Sequence, residues 1–148
     1  MSQSQTGVLI SLNSVPILWR SNRQPKTALS PVEAEIYALS AGIKDARAIY
    51  FTLDEMGIKL PRIRVGVDSD GAYSFFYGTC PDTKLTGCFD MRAEWVQELL
   101  MNKDVELYKV DSEENLADLF TKCFPTGKFV EKRDSIANQK DPEILGVN

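Results

Sequence analysis

The sequence predicts a mixed α/β domain whose sheet is covered by helices. Three observations carry that prediction: a paired β-branched run at the start, long amphipathic segments after it, and short apolar strands between them. The order reads hairpin, helix, strand, helix, strand, helix. Helices alternating with single strands imply parallel pairing, and the leading hairpin contributes antiparallel strands.

Residues 6–12, TGVLISL, are β-branched and apolar; Asn13 and Ser14 supply turn chemistry, and VPILWRS resumes the pattern. This predicts a hairpin looping at Asn13 and Ser14. After the polar SNRQPKTA, a helix is predicted from Ser30 to about Met56, with Gly57 ending it. Pro61 breaks the chain, IRVGV (63–67) is a short strand running into Asp68-Ser69-Asp70-Gly71, and AYSFFYG is a short helix. TCPDTKLTG is loop, and FDMRAEWVQELLMN is a second amphipathic helix with Phe89, Val96, Leu99 and Leu100 toward the core. VELYKV (105–110) is a strand, and DSEENLADLFTKCF a third main helix. From Pro125 the sequence turns polar and charged, with Phe129, Ile136, Ile144 and Leu145 as isolated apolar anchors. The expected division is one domain over 1–129 and a tail over 130–148, a loose helix with a partly disordered end.

A chain of 148 residues, 43% apolar and 26% charged, can bury one sizeable core. No apolar run is long enough to span a bilayer, and MSQSQTG lacks the pattern of a secretory signal. Cys80, Cys88 and Cys123 form no CxxC, and there is no histidine to build a familiar zinc set. The expectation is an intracellular protein, cytoplasmic or nuclear, with free thiols. Seventeen basic against 21 acidic residues give a net charge of −4, which disfavours nucleic acid as a partner without excluding a local basic patch. Without histidine, any hydrolysis near neutral pH must run on carboxylates, with a metal.

The first helix carries two glutamates two positions apart. Ser30-Pro31-Val32-Glu33 is a capping box with proline at the first helical position. Advancing about 100° per residue from Val32 brings Ile36, Leu39, Ile43 and Tyr50 within about 40° of one direction. Glu33 lies near 100° on that wheel, off the stripe, and a cap on a solvated face explains it. Glu35 lies about 60° to the other side, on the shoulder of the buried face. There an ionised carboxylate needs a partner, a metal or a raised pKa. A salt bridge or a snorkelling rim position is the plainer reading of Glu35.

Asp68 ends the strand IRVGV, and sites of open α/β sheets lie outside the carboxyl ends of strands. Asp68-Ser69-Asp70 can equally cap the following helix. Helical phase puts Asp118 opposite Leu116, Leu119, Phe120 and Cys123, and therefore in solvent. Two carboxylates meeting from different elements could hold Mg²⁺, a hard ion that prefers oxygen ligands, and pairs of such ions support in-line phosphoryl displacement. Arg20, Arg23 and Lys26 follow Trp19 closely and could touch a phosphate backbone, although a solvated basic loop explains them as well.

Taken together, SQTGVLISLNSVPILWRSNRQ, ALSPVEAEIYALSAGIKDA, VGVDSDGAYS, TGCFDMRAEWVQELL and VELYKVDSEENLADLFTKCFP resemble the ribonuclease H domain that closes copia-type LTR retrotransposon polyproteins. The stretches run in order from about Ser4 to about Phe129. The resemblance implies a five-stranded sheet of order 3-2-1-4-5. It also implies cleavage of the RNA strand of an RNA/DNA hybrid by four carboxylates and two Mg²⁺ ions. Carried over residue by residue, it assigns Glu35, Asp68 and Asp118 as catalytic metal ligands and leaves Glu33 a cap.

In that family a strand bearing the fourth carboxylate precedes the SQTG-like segment, and this sequence opens with Met1 at that point. The resemblance therefore implies an RNase H-like sheet without its first, central strand. The strands near Val8–Leu12 and Ile63–Val67 would then each show unpaired edge groups. Where many copia elements carry histidine, Cys88 stands here. Two functional expectations follow. One is a degenerate or domesticated RNase H-like domain, non-hydrolytic, that works as an interaction or assembly module and associates with itself or a protein partner through those edges. The other is a Mg²⁺-dependent ribonuclease H on RNA/DNA hybrids, with Asp70 or a partner's carboxylate replacing the missing group. A third reading is a segment of a larger polyprotein.

Overall fold

The computed structural model describes residues 4–25, 27–78 and 91–137. Its elements are strand β1 (Gln5–Leu12), strand β2 (Val15–Arg23), helix α1 (Pro31–Glu55), strand β3 (Ile63–Val67), helix α2 (Asp70–Tyr77), helix α3 (Met91–Met101), strand β4 (Val105–Lys109), a 3-10 helix (Leu116–Phe120) and helix α4 (Thr126–Ala137). The fold is α/β, as the alternation of patterns predicts. The chain divides into two compact units, one of Met1–Thr27 with Leu116–Asn148, the other of Ala28–Asn115.

In the first unit β1 and β2 form an antiparallel hairpin whose register runs from Gln5 opposite Arg23 to Leu12 opposite Val15, with a bulge at Ile10/Ser11. Asn13 (φ 48°) and Ser14 (φ 65°) both adopt left-handed backbone at the predicted turn. That is the primed geometry whose twist matches a two-residue hairpin. The 3-10 helix packs on β1 at Gly7, where an added Cβ would stand 2.7 Å from the Ala117 carbonyl oxygen and from Thr121 Cγ2. Glycine is required here by close approach. The Ser21 hydroxyl donates to the Phe120 carbonyl at 2.5 Å, tying β2 to the same segment. In α4 the stem of Lys132 is buried and its ammonium lies 5.4 Å from the centre of the Phe124 ring. Helix α4 runs through the boundary expected at 129/130.

The second unit holds the core: Ile36, Leu39 and Ile43 of α1, Val67 of β3, Ala72 and Phe76 of α2, Ala93, Val96 and Leu99 of α3, and Val105 and Leu107 of β4. Strands β3 and β4 are parallel, with Val67 opposite Lys109. Parallel partners need a crossover, and α2 and α3 lie within it. Helix α1 starts at Ser30, whose hydroxyl accepts from the Glu33 amide at 3.1 Å. It ends on Gly57 (φ 83°), with the Ile58 amide reaching back to the Leu53 carbonyl at 2.9 Å. These are the predicted caps. Phe89, expected in the core, lies outside the described residues, as do Ile144 and Leu145 of the tail.

Two expectations are corrected. The predicted third main helix is a turn at Asp111 followed by the short 3-10 helix. Asp111 Oδ1 captures the Glu113 amide at 2.8 Å and its carbonyl takes the Glu114 and Asn115 amides, so local side-chain bonding wins over an α-helical start. Among the described residues the strands also form two two-stranded sheets, β1–β2 and β3–β4, in place of one mixed sheet. Among the described residues β1 is hydrogen-bonded only to β2 and β3 only to β4.

Candidate functional site

The parallel register determines what meets at the strand end. Lys109, last in β4, stands opposite Val67, so its side chain reaches the residues that follow Val67. Its ammonium donates to the Asp68 carbonyl at 2.9 Å and pairs with the Asp70 carboxylate. Asn115 Nδ2 donates to Asp68 Oδ2 at 2.9 Å. Ser69 caps α2 by accepting the Ala72 amide at 3.2 Å. Asp68 is thus half-buried and oriented at a strand end, while Asp70 is exposed and held by Lys109. Of Asp68-Ser69-Asp70, Ser69 is the helix cap.

The two glutamates of α1 exchange environments. Glu35 is exposed and Glu33 half-buried. The buried residues Leu39, Ile43, Ile36 and Ser40 span about −20° to 80° on the wheel started at Val32, so the buried arc is turned toward Glu33. Glu33 Oε1 accepts from the Tyr37 hydroxyl at 2.6 Å and Oε2 from the Leu29 amide at 2.6 Å. With the Ser30 amide, these bonds hold its carboxyl below the usual range, Tyr37 contributing most. The shoulder position expected for Glu35 belongs in fact to Glu33.

Asp118, expected in solvent, is buried at 7% exposure. The α-helical phase used to place it does not apply to a 3-10 turn of three residues. Its carboxylate takes the Lys122 ammonium at 2.7 Å, and its carbonyl accepts the Thr121 and Lys122 amides. It belongs to the first unit, whereas Glu35, Asp68 and Asp70 belong to the second.

Arg20 and Arg23 lie in β2 and not in a basic loop. Three positions apart on a strand, they point to opposite faces; Arg20 is half-buried opposite Val8 and Arg23 is exposed opposite Gln5. Lys26, Cys80 and Cys88 lie outside the described residues, and Cys123 is an exposed free thiol. No helix among the described residues is long and apolar enough to cross a membrane.

As a donor set, carboxylates suit Mg²⁺. Among the described residues, however, no group of three or more histidine, cysteine, aspartate or glutamate side chains is gathered to hold a metal ion. Asp70 and Asp118 each pair with a lysine. Sequence reasoning missed Lys109, Asn115 and Lys122. For Lys109 the signal was present, since the last residue of a parallel strand beside β3 must reach the same end of the sheet as Asp68.

Over 127 residues, 86% of its length, the chain is 30% identical to the retrovirus-related Pol polyprotein from transposon TNT 1-94 of Nicotiana tabacum. It is 26% identical over 128 residues to the transposon Ty1-JR1 Gag-Pol polyprotein and to the truncated transposon Ty1-A Gag-Pol polyprotein, both of Saccharomyces cerevisiae. The chain is homologous to a segment of retrotransposon Pol polyproteins. It spans 10%, 7% and 11% of the length of these three relatives. No protein-family profile matches the chain, and no solved structure matches it. The Pol homology covers 86% of the chain, so it takes in residues of both units.

Proposed function

We propose that this chain is an RNase H-like segment of copia-type Pol descent that does not hydrolyse nucleic acid on its own and acts as an interaction module through strand addition. The carrying observation is that β1 and β3 are each hydrogen-bonded along one edge among the described residues. The outer edges of the other two strands carry protection. Strand β2 has Pro16, Arg20 and Arg23, and the Tyr77 hydroxyl covers β4 by meeting the Leu107 amide at 3.3 Å and its carbonyl at 3.4 Å. Strand β1, QTGVLISL, contains neither charge nor proline. An uncharged eight-residue edge is a ready template for another strand, from a second copy or a protein partner.

The non-hydrolytic part is supported by the lysine-paired carboxylates and by a second unit that holds most of the chain's 21 acidic residues, which repels a polyanion from the Asp68 end. Light scattering on the eluting protein tests association, with a dimer or larger species expected. A clean monomer that also captures no strand peptide overturns it. Incubation with a labelled RNA/DNA hybrid in Mg²⁺ or Mn²⁺ tests the rest, and no cleavage is expected. Cleavage abolished by Asp68→Asn would establish the Mg²⁺-dependent ribonuclease H instead.

A further inference from the structure

We infer that the strand β1 accepts is β1 of a second copy, paired antiparallel about Leu9, which joins two hairpins into one sheet of order β2–β1–β1–β2. The inference rests on the strand-addition reading and names its occupant. Within the hairpin, the devices that blunt an edge are on β2. The register passes from Ile10 opposite Leu18 to Ser11 opposite Pro16, so the extra residue of the bulge is Ile17. Pro16, Arg20 and Arg23 lie on the same strand. Strand β1, QTGVLISL, is uncharged and unbulged, with alternate N–H and C=O groups directed away from β2.

The side chains of β1 define its neighbour. Val8 and Ile10 point to one face, and Gly7, Leu9 and Ser11 to the other. A matching strand is therefore apolar on both faces at its centre. It is also small beside Gly7, where the 3-10 helix packs and an added Cβ would stand 2.7 Å from the Ala117 carbonyl oxygen. Strand β1 meets both demands itself: with Leu9 opposite Leu9, Val8 falls opposite Ile10 and Gly7 opposite Ser11. Strand β3, IRVGV, would instead bring Arg64 onto the seam. Trp19 selects the direction. It stands opposite Leu9 on the same face and is 62% exposed. A two-fold axis perpendicular to the sheet keeps that face of both hairpins on one side, giving a continuous apolar row Trp19–Leu9–Leu9–Trp19. Parallel pairing would turn one hairpin over and break the row.

The test is disulfide trapping on the full chain carrying Cys80→Ser, Cys88→Ser and Cys123→Ser, with light scattering on the same samples. Across an antiparallel pair Cα atoms lie about 4.5–5.5 Å apart, within reach of a disulfide. Leu9→Cys is therefore expected to give a covalent dimer under oxidised glutathione. Ser11→Cys, on the same face, is expected to give none, because the two Ser11 positions stand about 13 Å apart along the seam. Leu9→Lys sets like charges opposite each other and is expected to weaken self-association about tenfold or more. Circular dichroism verifies folding, and a mixture of Val8→Cys with Ile10→Cys replaces Leu9→Cys if that variant does not fold. A dimer whose Leu9→Cys form stays uncrosslinked overturns the inference and leaves strand addition standing. So does a monomer that binds a labelled QTGVLISL peptide. A monomer that binds no such peptide overturns both.

Discussion

The Tyr37 hydroxyl donates to Glu33 Oε1 at 2.6 Å, one helical turn along α1. Together with the Leu29 and Ser30 amides, it holds the Glu33 carboxyl below its ordinary value of 4.5. A carboxylate whose folded pKa is depressed contributes stability above the unfolded pKa and loses it as pH falls through the folded one. Glu33→Gln is therefore expected to cost about 1 kcal/mol at neutral pH, discounted for partial exposure. The gap between wild type and Glu33→Gln should narrow as pH drops below 4.5. Urea unfolding at several pH values measures it. A gap independent of pH would show that the ionised carboxylate is not what stabilises the helix start.

Gly7 carries a different prediction, read from space and not charge. An added Cβ meets the Ala117 carbonyl oxygen and Thr121 Cγ2, both at 2.7 Å, and the carbonyl is backbone that cannot swing aside. Gly7→Val should push the 3-10 helix off β1 and cost about 1–3 kcal/mol or more, the range for overpacking. Gly57→Val is a useful contrast, because an added Cβ meets nothing within 4 Å there and the cost comes only from φ 83°. A Gly7→Val protein melting like wild type would contradict the packing of the 3-10 helix on β1.

Much of this was legible in the sequence where local chemistry decides the outcome. The Ser30 cap, the Gly57 stop, the Asn13–Ser14 turn and the strand at 63–67 all follow from residues within a few positions of one another. What failed depended on choices that periodicity does not resolve. The buried arc of α1 turned by a fraction of a helical turn, which exchanged the surroundings of Glu33 and Glu35. A single side-chain bond from Asp111 replaced a helix start with a turn and so changed the phase by which Asp118 was placed. Lys109 was visible as a strand-end residue, but its role needed the β3–β4 register, which is a long-range fact.

Tyr77 offers a prediction about the sheet edge. Its hydroxyl meets both polar groups of Leu107 on the side of β4 turned away from β3. Tyr77→Phe leaves the ring in place and removes that cover. A loss of about 1 kcal/mol or less is expected, since these bonds are long and the side chain is partly exposed. The more informative readout is association, because an uncovered strand edge recruits other strands. Light scattering should show a larger average mass for Tyr77→Phe than for wild type at equal concentration. Equal masses would mean that the Tyr77 hydroxyl does not guard the edge.

Asp118 separates a structural from a catalytic role for the carboxylate that the NLADLFTK stretch brings in. It is buried, its carboxylate accepts from Lys122 at 2.7 Å, and its carbonyl closes the turn with the Thr121 and Lys122 amides. Removing a buried, charge-assisted acceptor is costly even where no substrate is present. Asp118→Ala is expected to lower stability by about 1–2 kcal/mol. Lys122→Ala should cost less than about 1 kcal/mol, because the lysine is half-exposed and its loss leaves Asp118 other polar contacts. Urea midpoints of the two variants give the comparison. An Asp118→Ala protein as stable as wild type would remove the structural role, and the residue would then have to be explained by function alone.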